Sequence, residues 1–164
     1  MKTLLLLRHA KSSWKDSDVR DFDRPLNQRG LKAAPAIGRL IKKRKLQPDL
    51  LLSSPAERAR QTTQLVIEAA GLKTELRYDE RIYEASVERL LGLVSELDDE
   101  AGTIMLVGHN PGFEELLEML TGEAHKLPTA ALACIELNIE KWNKVRAGAG
   151  RLEWLVEAKE LKSK

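Results

Sequence analysis

The sequence has very little cysteine, few aromatic residues and no long hydrophobic run. One cysteine among 164 residues excludes an intrachain disulfide and suits a reducing compartment. The N-terminal apolar run is only four leucines, too short for the core of a signal peptide, and no segment approaches the roughly 18–20 apolar residues of a membrane span. The three tryptophans are scattered, and the net charge of +2 is too mild to indicate nucleic acid as a partner. We therefore expect a cytoplasmic protein that binds neither membranes nor nucleic acid.

The rest of the composition is that of an ordinary globular protein. Hydrophobic residues make up 43% of the chain and charged residues 32%. The length predicts one domain over residues 1–164, with a charged tail from about residue 160 that is expected to fray.

Short apolar runs typical of buried strands alternate with amphipathic helical segments. The predicted strands are Thr3–Arg8, Asp49–Ser53, Thr74–Tyr78, Thr103–Val107, Ala131–Ile139 and Arg151–Lys159. The predicted helices are Gln28–Arg44, a helix to Ala70 with Ser54 as N-cap and Pro55 as first residue, Val87–Leu97 and Phe113–Leu120. This alternation predicts an α/β fold, a three-layer α/β/α sandwich with a mostly parallel central sheet.

Polar residues suited to binding phosphate follow three of these strands. Ligands of such sheets lie beyond the carboxyl ends of the strands. The first strand ends in Arg8 and His9, the second leads into a helix carrying Arg58, and the third is followed by His109. A neutral imidazole can attack phosphorus, and guanidinium groups can hold phosphoryl oxygens. A single histidine at a strand end is more often a structural hydrogen-bonding group, but four suitable residues at three strand ends favour a phosphate pocket with His9 as nucleophile.

The same residues lie in three segments that resemble the histidine phosphatase (phosphoglycerate mutase-like) superfamily. L-L-L-R-H-A-K-S-S-W resembles its R-H-G/A signature, S-S-P-A-E-R-A-R-Q-T its second motif, and V-G-H-N-P-G the segment with its second histidine. D-x-D-R-P-L-N-x-R-G and L-P-T-A-A make the chain most similar to the SixA-type phosphohistidine phosphatases. Only one helix fits between Tyr83 and Thr103, so the large helical lid of the mutases is expected to be missing. An open pocket would admit a side chain presented on a protein surface.

The resemblance also implies residue roles. His9 is implied as the nucleophile, with the phosphate pocket completed by Arg8, Arg58 and His109. Further contacts with the substrate are implied for Ser12, Asn110, Thr129 and Ala130.

The segment Y-D-E-R-I-Y-E resembles the mutase stretch around the catalytic glutamate and implies Glu80 as general acid. A salt-bridged loop residue is an equally open reading of Glu80. Imidazole leaving from a phosphohistidine would depend less on such an acid than an ester oxygen does.

Other phosphate chemistries lack their sequence signatures. There is no H-E-x-x-H and no G-x-x-x-x-G-K-[ST], and Cys134 lies within a predicted strand, where a small buried thiol is expected. We expect no metal and no cofactor.

The function predicted is a metal-independent phosphatase that removes the phosphoryl group of phosphohistidine on a protein, through a phosphohistidine intermediate on His9. The resemblance implies a role in signal transduction. The alternatives are a phosphatase for a small phosphate monoester and a non-catalytic module that binds phosphorylated partners.

Overall fold

A six-stranded sheet lies between two layers of helices. The computed structural model of the chain describes residues 1–161. The strands are β1 (Lys2–Arg8), β2 (Leu50–Ser53), β3 (Glu75–Tyr78), β4 (Thr103–Gly108), β5 (Leu132–Leu137) and β6 (Gly150–Val156). The helices are α1 (Gln28–Lys43), α2 (Glu57–Ala70), α3 (Val87–Ser95) and α4 (Gly112–Thr121). The predicted fold class is confirmed. The single-domain prediction over 1–164 stays a prediction, and the last three residues of the charged tail lie outside the described residues.

The sheet is parallel except for one strand. Its order is β3-β2-β4-β1-β5-β6, with β5 antiparallel to both of its neighbours. The carboxyl ends of β1, β2 and β4 therefore meet at one edge, with β4 between the other two. This arrangement brings together the three strand ends that carry the candidate residues.

The apolar run of β1 is buried on both faces because helices cover both sides of the sheet. Leu4 and Leu6 pack in the core with α3 and α4, whereas Leu5 and Leu7 pack in the core with α1 and α2. Alternate residues of a strand point to opposite faces, so one continuous hydrophobic run serves two cores.

The predicted start of α2 is wrong by two residues. The helix begins at Glu57 with Ala56 as N-cap, not at Pro55 with Ser54 as N-cap. The Ser54 hydroxyl oxygen accepts a hydrogen bond from the amide of Ala56 and also contacts His109, so the side chain belongs to the strand end rather than to the helix. The two final strands are also shorter than predicted, since β5 ends at Leu137 and β6 at Val156.

The connection from β3 to β4 contains only a short 3₁₀ helix (Glu80–Ile82) and α3. No helical lid is inserted in this part of the described chain. The carboxyl edge of the sheet is therefore left open on this side, as expected from the sequence.

Candidate active site

The ends of β1 and β4 place two histidines side by side. Arg8 pairs with Gly108 in the sheet, and the amide of His9 donates to the Gly108 carbonyl at 3.0 Å. The ring centroids of His9 and His109 are consequently 5.1 Å apart. Gly108 fits here because an added Cβ would come within 2.6 Å of the Phe113 ring.

His9 is held as a neutral imidazole in one tautomer. The side chain is buried, with 6% of its surface exposed, and Nδ1 donates to the carbonyl oxygen of Ala10 at 2.7 Å. A carbonyl can only accept, so Nδ1 carries the proton and Nε2 keeps its lone pair. Burial, joined by the charges of Arg58 and Arg8 and opposed by the bond to Ala10, lowers the pKa of His9 to about 3. The free Nε2 is therefore available as a nucleophile at neutral pH.

Thr62 fixes the backbone on which this tautomer depends. Its hydroxyl oxygen accepts from the amide of Ala10 at 3.0 Å, and its proton is donated to the carbonyl of Arg58 at 2.7 Å. One buried side chain of α2 thus ties the loop after His9 to the turn that carries Arg58. Thr62 is the last residue of the second motif, S-S-P-A-E-R-A-R-Q-T, but the sequence analysis does not assign it a role.

His109 is also neutral, and one of its nitrogens has no partner. Nε2 and the Ser54 hydroxyl are 2.7 Å apart, while Nδ1 is buried and unpaired. Burial, then the neighbouring His9 and Arg58, lower the pKa of His109 to about 3.

Arg8 and Asn110 share one backbone acceptor. Arg8 Nη1 and Asn110 Nδ2 donate to the carbonyl of Leu127 at 3.0 and 2.9 Å. Arg8 Nε and Asn110 Oδ1 are buried without partners. Burial lowers the pKa of Arg8, with Glu114 acting in the opposite direction.

Arg58 is oriented by an acidic residue that the sequence analysis did not single out. Its Nη1 donates to the Asp21 carbonyl at 2.8 Å and its Nη2 to Asp21 Oδ2 at 3.1 Å, leaving Nε buried and unpaired. Tyr83 also donates to Asp21, at 2.7 Å, and its ring lies edge-on to His109 at 5.6 Å. Although burial acts against it, the Tyr83 hydrogen bond, the Arg58 charge and the Arg24 hydrogen bond lower the pKa of Asp21 to about 2.

The other residues implied by the resemblance have different surroundings. Ser12 is buried, and its hydroxyl accepts from Arg24 Nη1 at 2.6 Å, so another guanidinium occupies it in this structure. The amide of Ala130 donates to the carbonyls of Arg8 and His9, so Ala130 acts through its backbone. Thr129 is half-buried beside it and lines a groove along α1.

Glu80 makes no hydrogen bond or ion pair with His9 or His109. It is exposed at the first residue of the short 3₁₀ helix, whereas Tyr83, from the same segment, reaches His109. Its assignment as general acid stays a prediction.

Sequence reasoning missed Asp21, Arg24 and Tyr83. Asp21 and Arg24 lie in a polar loop without periodicity, where charged residues usually face solvent. The signal that points to these two residues is the segment D-x-D-R-P-L-N, which is part of the resemblance to SixA-type proteins.

The buried unpaired atoms show what the site can bind. Among side chains of residues 1–161, the buried nitrogens and oxygens without a partner are Arg8 Nε, Arg58 Nε, His109 Nδ1 and Asn110 Oδ1. Buried polar groups are normally hydrogen-bonded, and two of these are donors on guanidinium groups. A bound oxyanion would supply the missing acceptors. Residues 1–161 contain no group of three or more histidine, cysteine, aspartate or glutamate side chains placed to hold a metal ion.

Known proteins share both the sequence motifs and the fold. The profile of the histidine phosphatase superfamily (branch 1) matches residues 4–112. The chain is 32% identical to an uncharacterised chloroplastic protein of Arabidopsis thaliana, in an alignment covering 95% of this chain and 76% of that one. The candidate phosphohistidine phosphatase SixA of Agrobacterium tumefaciens has a TM-score of 0.83 and 36% identity, with 95% of this chain and 97% of that chain covered. A protein histidine phosphatase SixA complexed with tungstate has the same fold, with a TM-score of 0.84 at 22% identity and coverage of 98% and 99%.

This chain belongs to the histidine phosphatase superfamily. The resemblance read from its motifs, including the similarity to SixA-type proteins, is confirmed. None of the helices within residues 1–161 is both long and apolar enough to cross a membrane.

Proposed function

We propose that the protein is a phosphohistidine phosphatase that acts on a histidine-phosphorylated protein through a covalent intermediate on His9. The observation that carries this proposal is the neutral His9, with a free Nε2, next to buried and unpaired nitrogens of Arg8, Arg58 and His109. This combination pairs a nucleophile with guanidinium donors for a phosphoryl group.

The proposed reaction has two displacements. His9 Nε2 attacks phosphorus, a new N–P bond forms on His9, and the N–P bond of the substrate breaks as its imidazole leaves and takes up a proton. Water then attacks the phosphorylated His9, which releases inorganic phosphate and a proton and restores the imidazole. Arg8 and Arg58 hold the phosphoryl oxygens in both steps, and their charge offsets the charge that develops there.

Two features support a protein as the source of the phosphohistidine. The carboxyl edge of the sheet is not covered by a helical lid in the described chain. Trp14, which stacks on Arg24, and Asp21, which binds Arg58, are exposed at this edge. The phosphoryl pocket itself is supported separately, because a SixA protein with the same fold is complexed with tungstate, a tetrahedral oxyanion.

The test of the intermediate is a short incubation with ³²P-labelled phosphohistidine peptide, followed by rapid quenching. We expect acid-labile, alkali-stable label on His9, and His9→Ala should lose label and at least about 10³-fold in turnover. His125→Ala is the matched control, because His125 lies outside the site and pairs with Glu123. Full activity of His9→Ala would disprove the mechanism.

The substrate class is tested by comparing kcat/KM for phosphohistidine peptides, sugar phosphates and nucleotides. We expect the highest value for phosphohistidine. A higher value for a small ester would assign the protein to metabolite hydrolysis. Tight phosphate binding without turnover of any compound would instead show a binding module.

A further inference from the structure

A groove on the surface of α1 carries an excess of positive charge. It has a volume of about 700 Å³ and lies between α1 and the segment after β6. Its basic lining residues are Lys11, Arg29, Lys32, Arg39 and Lys159. The three on α1 are spaced three and seven residues apart, which places them along one face of the helix.

Most of this charge is not neutralised within residues 1–161. Lys159 lies 3.5 Å from Glu157, the one acidic residue that lines the groove. No ion pair within the described chain involves Arg29, Lys32 or Arg39. Several exposed arginines elsewhere do pair with neighbouring carboxylates, as Arg151 does with Glu153. Neighbouring carboxylates therefore leave most of the positive charge of the groove without a partner.

One end of the groove adjoins the candidate active site. Lys11 follows Ala10, whose carbonyl holds His9, and Thr129 precedes Ala130, whose amide bonds the carbonyl of His9. Both Lys11 and Thr129 line the groove. The groove therefore begins at residues that neighbour, along the chain, those that hold His9.

The opposite side of the site has the opposite charge. A smaller cleft of about 250 Å³ beside α4 is lined by three glutamates and one lysine, Glu114, Glu115, Glu118 and Lys126. Pro111, which also lines it, connects it to the strand end bearing His109. An acidic segment would be repelled by this cleft and attracted to the α1 groove. The charges therefore favour an acidic partner and also the side of the site on which its chain lies.

We propose that the α1 groove is a docking surface for an acidic segment of the protein substrate, flanking its phosphohistidine. This inference rests on the proposed function and adds the chemistry of the partner. The groove also presents Leu31, 41% exposed, together with Pro35 and Ala36, so an apolar side chain among the acidic ones would add contact area. The lining contains no aromatic residue on which a nucleic-acid base could stack.

The test uses three synthetic phosphohistidine peptides whose flanks are glutamate-rich, uncharged or lysine-rich, together with free phosphohistidine. For the unaltered protein we expect kcat/KM for the acidic peptide to exceed that for the uncharged one by roughly tenfold, a preference that salt should weaken. The double variant Lys32→Glu/Arg39→Glu should lose this preference and keep its turnover of free phosphohistidine. Lys42→Glu/Lys43→Glu is the matched control, since it makes the same charge change on exposed residues of α1 outside the groove and should keep the preference.

A binding measurement separates this proposal from the proposed function. Fluorescence anisotropy with a labelled acidic peptide lacking phosphate should show binding that Lys32→Glu/Arg39→Glu weakens and Lys42→Glu/Lys43→Glu does not. Such binding without hydrolysis of any phosphohistidine would support the groove and refute the function. Hydrolysis with no preference for acidic flanks, or tighter binding of a single-stranded oligonucleotide than of the acidic peptide, would overturn the groove proposal.

Discussion

Buried polar groups at the two ends of the central sheet differ in whether they have hydrogen-bond partners. At the amino end, the buried ammonium of Lys2 donates to the carbonyls of Asp99 and Ala101, and the Trp142 indole also donates to Ala101. A carboxylate oxygen of Asp49 accepts two backbone amides at the start of β4. At the carboxyl end, Arg8 and Arg58 each keep a buried nitrogen without a partner.

This difference distinguishes structural polar groups from functional ones. Lys2 is as buried as the site residues, yet its hydrogen bonds are made within the fold and contribute to its stability. The unpaired donors at the carboxyl end cost folding free energy until an anion binds. Substitutions at the two ends should therefore separate stability from activity.

Among the substitutions that test this comparison, Arg58→Ala is expected to reduce activity the most. Removing the guanidinium deletes an unpaired donor and a fixed charge near the phosphoryl group, so kcat/KM for a phosphohistidine peptide should fall by about 10²- to 10³-fold. Steady-state kinetics measure this loss.

The control for Arg58 lies two residues further along the same helix. Arg60 pairs with Glu57 and has no bond to the site, so Arg60→Ala should change kcat/KM by less than about twofold. Equal losses in the two variants would mean that helix stability, not the phosphate contact, explains the Arg58 result.

Acidification should destabilise the fold through the carboxyl end. The folded protein keeps His9 neutral down to a pKa of about 3, whereas the unfolded chain protonates it below its usual value of 6.5. The unfolded state then binds more protons between these values, so stability falls as the pH drops through this window. Urea denaturation at pH 5 and 7.5 should show a loss about 2 kcal/mol smaller in His9→Ala than in the unaltered protein. Equal losses in the two proteins would refute the low pKa of His9.

At the amino end, Lys2→Met should reduce stability without affecting catalysis. The substitution keeps most of the side-chain length and removes two hydrogen bonds, so we expect the free energy of unfolding to fall by about 1–3 kcal/mol. The kcat/KM for a phosphohistidine peptide, measured below the unfolding transition, should stay within about twofold. A large loss of activity would show that the two ends are coupled through the sheet.

The smallest effect is expected from Glu80→Gln. Because Glu80 is exposed and imidazole is a good leaving group, turnover of a phosphohistidine peptide should fall by less than about threefold. A phosphate monoester, whose leaving oxygen needs a proton, should be affected more. Equal, large losses for both substrates would make Glu80 a general acid for either reaction.

The amino-acid pattern was sufficient to predict the framework of the site. The apolar runs of β1 and β4 are long and bounded, so the sequence predicts His9 and His109 at the ends of two buried strands. That these two strands are neighbours is known from the structure. Arg58 is predicted because its helix follows a buried strand.

The contacts that orient these residues were not predictable in the same way. Asp21 reaches Arg58 from 37 residues away along the chain, through a loop with no periodic pattern. Ser54 has the sequence context of an N-cap, but a partner 55 residues away, His109, engages the same hydroxyl. Such long-range pairings depend on strand order, which local propensity does not encode.

The carbonyl of Ala10 has a consequence for how this site can change during evolution. The acceptor that sets the His9 tautomer is a backbone oxygen of the adjacent residue, and no substitution can delete a backbone oxygen. The neutral tautomer of His9, the proposed nucleophile, is therefore robust to substitution at most positions, whereas the exposed residues of the α1 groove are free to diverge. A new substrate could be acquired by surface mutations alone, with the chemistry at the strand ends inherited unchanged.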